Sequence, residues 1–448
     1  MNIKKLKINN FRSIEKLDLN LSGTNRVVCF VGENGSSKTS VLSLITEAIV
    51  SKTKLIFPNF SLENKKRYRL ASLGEIRKDC EYYAVELSYS SIKGQEYNFK
   101  KLVAVRNDLP VDIYVSEIQG CTLPPEGFPI FEISSLDTLK ADDDFLGGNI
   151  FLVRPSSRYE HYDYEFTHRK GRDPELEVGV FNPDEMPYPF VVAHSGNDVQ
   201  TTIFNMLFDA QIGYPQSRNA FQWIAVLLQK ITGKNFGNIQ VSQMPHRQLM
   251  SSEVGALSNL SQGELDLLVT IVNILQQQLY IYNRYTGDQH VALKIGTALE
   301  IPGIVLIDEV DLHLHPKAQE SYLKILVEFF PNVQFIITTH SPFIVRGLPS
   351  ESVVVSLPSG RIFSEAFHKM DIDSITSIIF QYGGRFSDFV IEKLTEFRME
   401  LTSSSSPDLE KLKNIYRELS ESEPARGELE LYMASYGDKN LNQVIKGA

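Results

Sequence analysis

The chain predicts an α/β fold with a buried, largely parallel sheet, and three stretches carry that reading. The first is an apolar run at 27–31 that meets a glycine-containing turn and then a helical segment. The second and third are apolar runs at 304–307 and 333–337, each ending in polar residues. Strands covered on both faces have this pattern, and parallel sheets are built from such strands. Ligands of open α/β sheets bind outside the C-terminal strand ends. The residues just after each run are therefore the first candidates for chemistry.

Length and composition set the frame. At 448 residues the chain exceeds the size at which one core stops growing, so one large domain with insertions, or two domains, is expected. Hydrophobic content of 42% with 22% charged residues fits a globular protein. No run of about 18 apolar residues marks a membrane span. The start, from Met1 to Lys7, lacks a leader's apolar core and alternates like a strand. Cys29, Cys80 and Cys121 are isolated, which suggests reduced thiols and a cytoplasmic setting rather than a disulfide frame or a zinc site. A net charge of −10 argues against a dedicated DNA binder and favours a protein partner or conditional contact with DNA.

Taken in order, Ile3, Leu6 and Ile8, then Ile14, Leu17 and Leu19, predict two strands joined around Asn9-Asn10-Phe11-Arg12-Ser13. Next comes Gly32-Glu33-Asn34-Gly35-Ser36-Ser37-Lys38-Thr39, followed by Ser40 and a helix to about residue 50. Strand, glycine turn and helix form the context of a phosphate-binding loop. Gly32 and Gly35 permit the sharp turn, the helix N-terminus favours anions, Lys38 can reach phosphate oxygens, and the Thr39 hydroxyl can ligate Mg²⁺. Ser37 stands where glycine usually precedes the lysine, and weaker nucleotide affinity is the expected consequence. A β-rich stretch follows to about 112, with Lys65, Lys66, Arg67 and Arg69 forming either a solvated edge or a nucleic-acid contact. From 113 to 189 the pattern is irregular. It includes Asp142-Asp143-Asp144, a basic patch from His168 to Arg172, and a loop at 155–160 whose Arg158 could meet a phosphate or pair internally.

Helical patterning resumes near Val199. Ile203, Phe204, Met206, Leu207 and Phe208, then Phe221, Ile224, Leu227 and Leu228, are expected in the core. Leu260-Ser261-Gln262-Gly263-Glu264 then opens an apolar helix, as an anion-binding turn or an ordinary cap. After the run at 304–307 come Asp308 and Glu309, suited to holding Mg²⁺ and to orienting or deprotonating an attacking water. His313 and His315 lack further spaced ligands for a metal. The run at 333–337 ends in His340, placed to hydrogen-bond a γ-phosphate or water. Beyond Ser359 come amphipathic helices: one opening at Asp371, one carrying Phe389, Val390, Ile391, Leu394, Phe397 and Leu401, and two more after 407.

These four motifs in this order resemble the ABC-type ATPases of the SMC and RecF kind, over roughly the first 345 residues. The resemblance implies an ABC-type ATPase head, a P-loop mixed sheet with helices, with an inserted helical and irregular region and a helical C-terminal tail. The implied domains are 1–360, with one lobe at about 1–150 and 295–360 and the insert at about 151–294, and then 361–448. It implies Walker A binding of ATP by residues 32–40, with Arg12 from the N-terminal strand motif alongside. It further implies a signature turn at Ser261, Gln262, Gly263 and Glu264, a Walker B pair in Asp308 and Glu309, a D-loop Asp311 and a switch His340. Gln200 is the candidate Q-loop glutamine. Thr39 and Asp308 would hold Mg²⁺, and Glu309 and His340 would be catalytic in slow hydrolysis of ATP to ADP and phosphate. Such heads sandwich two ATP molecules between two copies, so a homodimer is implied. About 220 residues separate Walker A from the signature without sustained heptads, against a long coiled-coil arm. The loop at 155–160, the stretch at 309–316 and the helical tail look most like the ATPase subunits of the Septu anti-phage system, PtuA. That likeness implies a separate HNH nuclease partner docking on the tail, and no membrane. A RecF-like DNA-repair ATPase and a transporter nucleotide-binding subunit are the rival readings.

Overall fold

The computed structural model describes residues 2–21, 23–56, 73–90, 96–105, 131–136, 148–156, 190–192, 199–242, 248–285, 296–382, 386–403, 407–436 and 445. Lys65, Lys66, Arg67, Arg69, Cys121, the acidic patch at 142–144, Arg158 and the basic patch at 168–172 lie outside them. Contacts divide the chain into two units, Met1–Ile375 and Thr376–Ala448.

The first unit holds two large sheets. Strands β1 (Asn2–Phe11), β2 (Ile14–Asn20), β4 (Tyr82–Ser90), β5 (Glu96–Ala104) and β6 (Phe131–Leu136) form an antiparallel sheet in the order β2-β1-β4-β5-β6. The second sheet runs β15-β14-β3-β13-β12-β7-β8. It uses β3 (Val27–Val31), β7 (Ile150–Arg154), β8 (Phe190–Val192), β12 (Gly303–Ile307), β13 (Val333–Thr339), β14 (Val353–Ser356) and β15 (Arg361–Phe363). Its pairings are parallel except for β14 with β15. Every residue of β3, β7, β12 and β13 is buried, which is why they read as mainly apolar runs, with Arg154 ending β7 and Gln334, Thr338 and Thr339 within β13. A small third sheet joins β9 (Ile239–Val241), β10 (Leu249–Ser251) and β11 (Gly255–Ala256).

Helix α1 (Lys38–Ile56) lies between the two large sheets. Its Val41, Leu42, Ile45, Ala48 and Ile49 share one core with Leu6, Ile8, Leu87 and Phe99 on one side and Phe30, Leu306 and Ile336 on the other. The helix runs about two turns beyond the end expected from sequence, to Ile56. Buried Gln334 ties the sheets together: its side chain accepts the Ile3 N–H at 2.7 Å and donates to Asn25 O at 3.0 Å. At Gly303, β12 and β7 approach so closely that a Cβ would sit 2.2 Å from the Ile150 carbonyl oxygen.

Helices α2 (Val199–Gln211), α3 (Pro215–Thr232), α4 (Gln262–Tyr285), α5 (Pro316–Phe329) and α6 (Pro342–Arg346) complete the unit. Proline at N1 starts α3, α5 and α6, and Gly233 ends α3 in the left-handed region. One core expectation is corrected here: Phe208 is 51% exposed. The buried stripe of α2 is Val199, Ile203 and Met206, and Phe208 falls on the opposite side.

The second unit is a three-helix group, α7 (Asp388–Ser403), α8 (Leu409–Leu419) and α9 (Glu423–Tyr436), around Leu394, Phe397, Leu401, Leu412, Ile415, Leu429 and Met433. Phe389 and Ile391 are exposed, contrary to the expected stripe, because the buried positions of α7 recur at 394, 397 and 401. Asp371 caps a helical start as expected, accepting from Ser374 N at 2.8 Å. That helix is only one α turn, Ile372–Ser374, passing into a π turn at Ile375–Ile379.

Candidate nucleotide site

Four neighbouring parallel strands deliver the candidate residues to one edge of the sheet. The C-terminal end of β3 leads into the loop at 32–37, β13 leads to His340, β12 to Asp308 and Glu309, and β7 ends in Arg154. Placement of separate motifs at adjacent strand ends follows from parallel pairing alone.

The loop is held as a strained turn. Gly32 has φ 147° and Gly35 φ 81°. A Cβ on Gly32 would lie 2.3 Å from the Leu357 carbonyl oxygen, so only glycine fits there. Ser37 has φ 72°, a left-handed value that costs a non-glycine residue about 1–2 kcal/mol. Its hydroxyl lies 2.7 Å from that of Ser13, so the N-terminal turn and the phosphate loop are joined through the residue that departs from glycine. Arg12, Glu309 and His313 also have positive φ, at 50°, 48° and 63°. Strain of this kind gathers where surrounding structure over-determines the backbone.

Lys38 is buried, and its ammonium donates to the carbonyls of Gly32 at 2.9 Å and Glu33 at 2.8 Å, and to Ser36 Oγ at 3.4 Å. Burial lowers its pKa, opposed by the nearby charges of Asp308, Glu309 and Asp311. The Thr39 hydroxyl donates to the Asp308 carboxylate at 2.8 and 3.1 Å. Thr338 Oγ1 donates to the same carboxylate at 2.5 Å and accepts the Glu309 N–H at 2.7 Å. Asp311 accepts from the Thr339 hydroxyl and, at 3.4 Å, from the His340 N–H. His340 has its pKa lowered by burial first and then by Lys38, with the three carboxylates acting the other way. Arg12 donates to Ser40 Oγ at 2.7 Å and pairs with buried Glu75 at 3.5 Å. Glu75 in turn accepts from Tyr83 OH at 3.2 Å.

These residues surround a cavity of about 430 Å³ lined by Arg12, Ser13, Asn34, Gly35, Ser37, Lys38, Thr39, Ser40, Gly74, Glu309 and His340. That volume lies within the range of small-ligand sites. The donor set fits a magnesium-bound triphosphate: an ammonium, a hydroxyl and a guanidinium line the cavity, and the hydroxyl bonds the Asp308 carboxylate. Gly32, Glu33 and Ser36 stand behind the lining and hold Lys38.

Ser261, Gln262, Gly263 and Glu264 do not line the cavity. They form a reciprocal cap on α4, in which Ser261 N and Oγ donate to the Glu264 carboxylate at 2.9 and 2.7 Å. Lys234 pairs with the other oxygen of that carboxylate. Burial raises the Glu264 pKa, but these bonds from Lys234 and Ser261 together leave it lowered. Gly263 is pressed against the segment after Asp308: a Cβ there would sit 2.3 Å from the His313 carbonyl oxygen. The His315 imidazole accepts from Lys317 N at 3.3 Å and so caps α5. Gln200 lies on α2, and its side chain is outside the described residues. Gly74, Glu75 and Arg154 had no local signal in the sequence, since distant pairing alone brings them here. Among the described residues, no helix is long and apolar enough to cross a membrane.

The family described as "AAA ATPase domain" matches residues 1–119. The family described as "AAA domain, putative AbiEii toxin, Type IV TA system" matches residues 257–346. The Septu protein PtuA of Bacillus thuringiensis is 22% identical over 97% of this chain and 98% of its own. The Retron Vc95 probable ATPase of Vibrio cholerae is 37% identical over 31% of this chain, and the match spans only about a quarter of that protein, 24%. Among solved structures, the SMC head domain from Thermotoga maritima aligns over 81% of this chain and 99% of its own, at 14% identity and a TM-score of 0.38. The chain is thus similar to AAA-type ATPase domains over 1–119 and 257–346, and to PtuA over nearly its whole length.

Proposed function

We propose that this chain binds and slowly hydrolyses ATP with Mg²⁺, and that it works as a pair of heads governing a partner HNH nuclease in anti-phage defence. The observation that carries the ATPase reading is the Thr39 hydroxyl on the Asp308 carboxylate, beside Lys38, in a cavity that Glu309 and His340 also line. Lys38 would leave the Gly32 and Glu33 carbonyls to bind phosphate oxygens. Thr39 and Asp308 would hold the magnesium ion, which neutralises phosphate charge when bound. Glu309 would orient the attacking water and draw its proton. His340, neutral at pH 7 because its pKa is lowered, would offer an N–H to the terminal phosphate. Arg12, which lines the same cavity beside Ser40, would also face the phosphates.

The paired arrangement is supported by an incomplete cavity. Its described lining contains no residue of the Ser261 turn, and Ser261 itself is exposed to a second copy while Gly263 and Glu264 are buried. Similarity to the Septu protein PtuA over nearly the full chain supports a setting in such a system. Phe389, Met399 and Leu431, exposed on the C-terminal unit, support that unit as the docking surface.

The test is Glu309→Gln in the full chain. ATP affinity should be kept, turnover should fall at least about a hundredfold, and an ATP-dependent dimer should persist in sedimentation velocity. Unchanged turnover removes Glu309 from its role. A variant that stays monomeric with ATP removes the sandwich.

A further inference from the structure

Helix α4 carries the Ser261 turn at its start, and it is fastened to the strand beside the Asp308 strand. Arg154, fully buried at the end of β7, forms an ion pair with Asp266, which is 3% exposed and lies five residues after Ser261. The Arg154 backbone carbonyl also accepts the N–H of Asp308 at 2.9 Å. Further along, Gln277 of α4 accepts the Phe151 N–H of β7 at 3.1 Å. Gly263 meanwhile rests on the His313 carbonyl, without room for a Cβ. A closed path therefore runs from Asp308 through Arg154 and Asp266 to the turn, and back through His313 and Asp311 to Asp308.

Charges are a costly way to glue a helix to a strand. A buried ion pair loses hydration that an apolar pair of similar volume would not, and apolar replacement is often neutral or stabilising. A planar guanidinium on a carboxylate, however, fixes direction as well as distance. Orientation is the property a composite site needs, since reacting groups misplaced by about 1 Å can lose roughly a hundredfold in rate.

We propose that the buried Arg154–Asp266 pair is a positioning device that locks the Ser261 turn to the strand end bearing Asp308. Nucleotide engaged by the turn of one copy then sets the carboxylate geometry in that copy's own cavity, and the two cavities of a pair act together. The inference rests on the sandwich reading above. Arg154 and Asp266 are positioning residues and touch no nucleotide themselves.

The experiment uses the full chain carrying Arg154→Met and Asp266→Leu together, with Asp266→Asn as a near-isosteric second variant. Each is measured for thermal midpoint, affinity for a fluorescent ATP analogue, kcat and KM for ATP, and ATP-driven dimerisation in a Glu309→Gln background. The expected result is a retained midpoint, analogue affinity and KM, with kcat down about tenfold and the dimer weakened about tenfold. Asp266→Asn leaves Arg154 buried without its carboxylate, so its midpoint is expected to fall; it is read on KM, kcat and dimer affinity at a temperature where it is folded, and those decide the matter if the double variant does not fold. Values of kcat and dimer affinity within twofold of the parent chain overturn the proposal. So does a parallel loss of midpoint, KM and kcat, which marks packing alone. A parent chain that neither turns over ATP nor pairs with it fails the sandwich reading itself, whereas a competent parent matched by both variants fails only this inference.

Discussion

Ser37 shows how one side chain can offset its own strain. Its left-handed φ of 72° penalises any residue with a Cβ, and its hydroxyl recovers part of that through Ser13 at 2.7 Å. Two substitutions separate the effects. Ser37→Ala keeps the strain and loses the bond, so it should cost about 1 kcal/mol. Ser37→Gly loses both, and it should unfold within about 0.5 kcal/mol of the parent chain in urea. If alanine matches the parent chain the Ser13 bond contributes nothing, and if alanine and glycine behave alike the left-handed φ costs nothing. His340 offers a second residue-level test, through pH. Its folded pKa lies below the ordinary 6.5, so the folded protein binds fewer protons than the unfolded chain in the window just below 6.5. Its contribution is fully present above pH 6.5 and is lost as pH falls toward the lowered value. Stability should therefore drop more steeply from pH 7 to 5.5 in the parent chain than in His340→Gln. Parallel urea midpoints across that range would show that the shift is absent.

At the scale of elements, the two large sheets depend on a polar contact that no pattern announces. The β1–β4 ladder has an irregularity between Ile3 and Lys5, and the buried Gln334 side chain serves Ile3 there. Gln334→Met keeps the volume and removes the bonds, leaving the Ile3 N–H without this acceptor. A loss of about 1–3 kcal/mol in urea unfolding is expected; a loss below about 0.5 kcal/mol would mean that water takes its place. The same distinction explains what could be read from the chain. The glycine loop, the Asp308–Glu309 strand and the His340 strand are legible because each is a short run whose pattern mirrors local structure. The Ser13–Ser37 bond, the place of Gly74 and Glu75 beside Arg12, and the Arg154–Asp266 pair are not. They join segments up to 112 residues apart, and only the strand order brings them together. Phe208 and Phe389 were misplaced for a related reason: several apolar residues in a row fit more than one helix face, and the partner element selects which is buried.

For the whole molecule, the division at Ile375 separates two cores, and the candidate cavity lies in one of them. Every residue lining the cavity, and both large sheets, belong to Met1–Ile375. Thr376–Ala448 gathers Leu394, Phe397, Leu412, Ile415 and Leu429 into a core of its own while Met399 and Leu431 remain 62% and 64% exposed. A unit with its own core and exposed apolar side chains is suited to contact rather than catalysis. A chain ending at Ile375 should therefore bind ATP like the full protein and turn it over within about threefold, since no lining residue is lost. It should also fail to co-purify the proposed nuclease partner, which the full chain would retain. The two readouts are independent. Lost nucleotide binding in the shortened chain would assign the C-terminal unit to the ATPase body, and retained capture of the nuclease would move the docking surface onto the head.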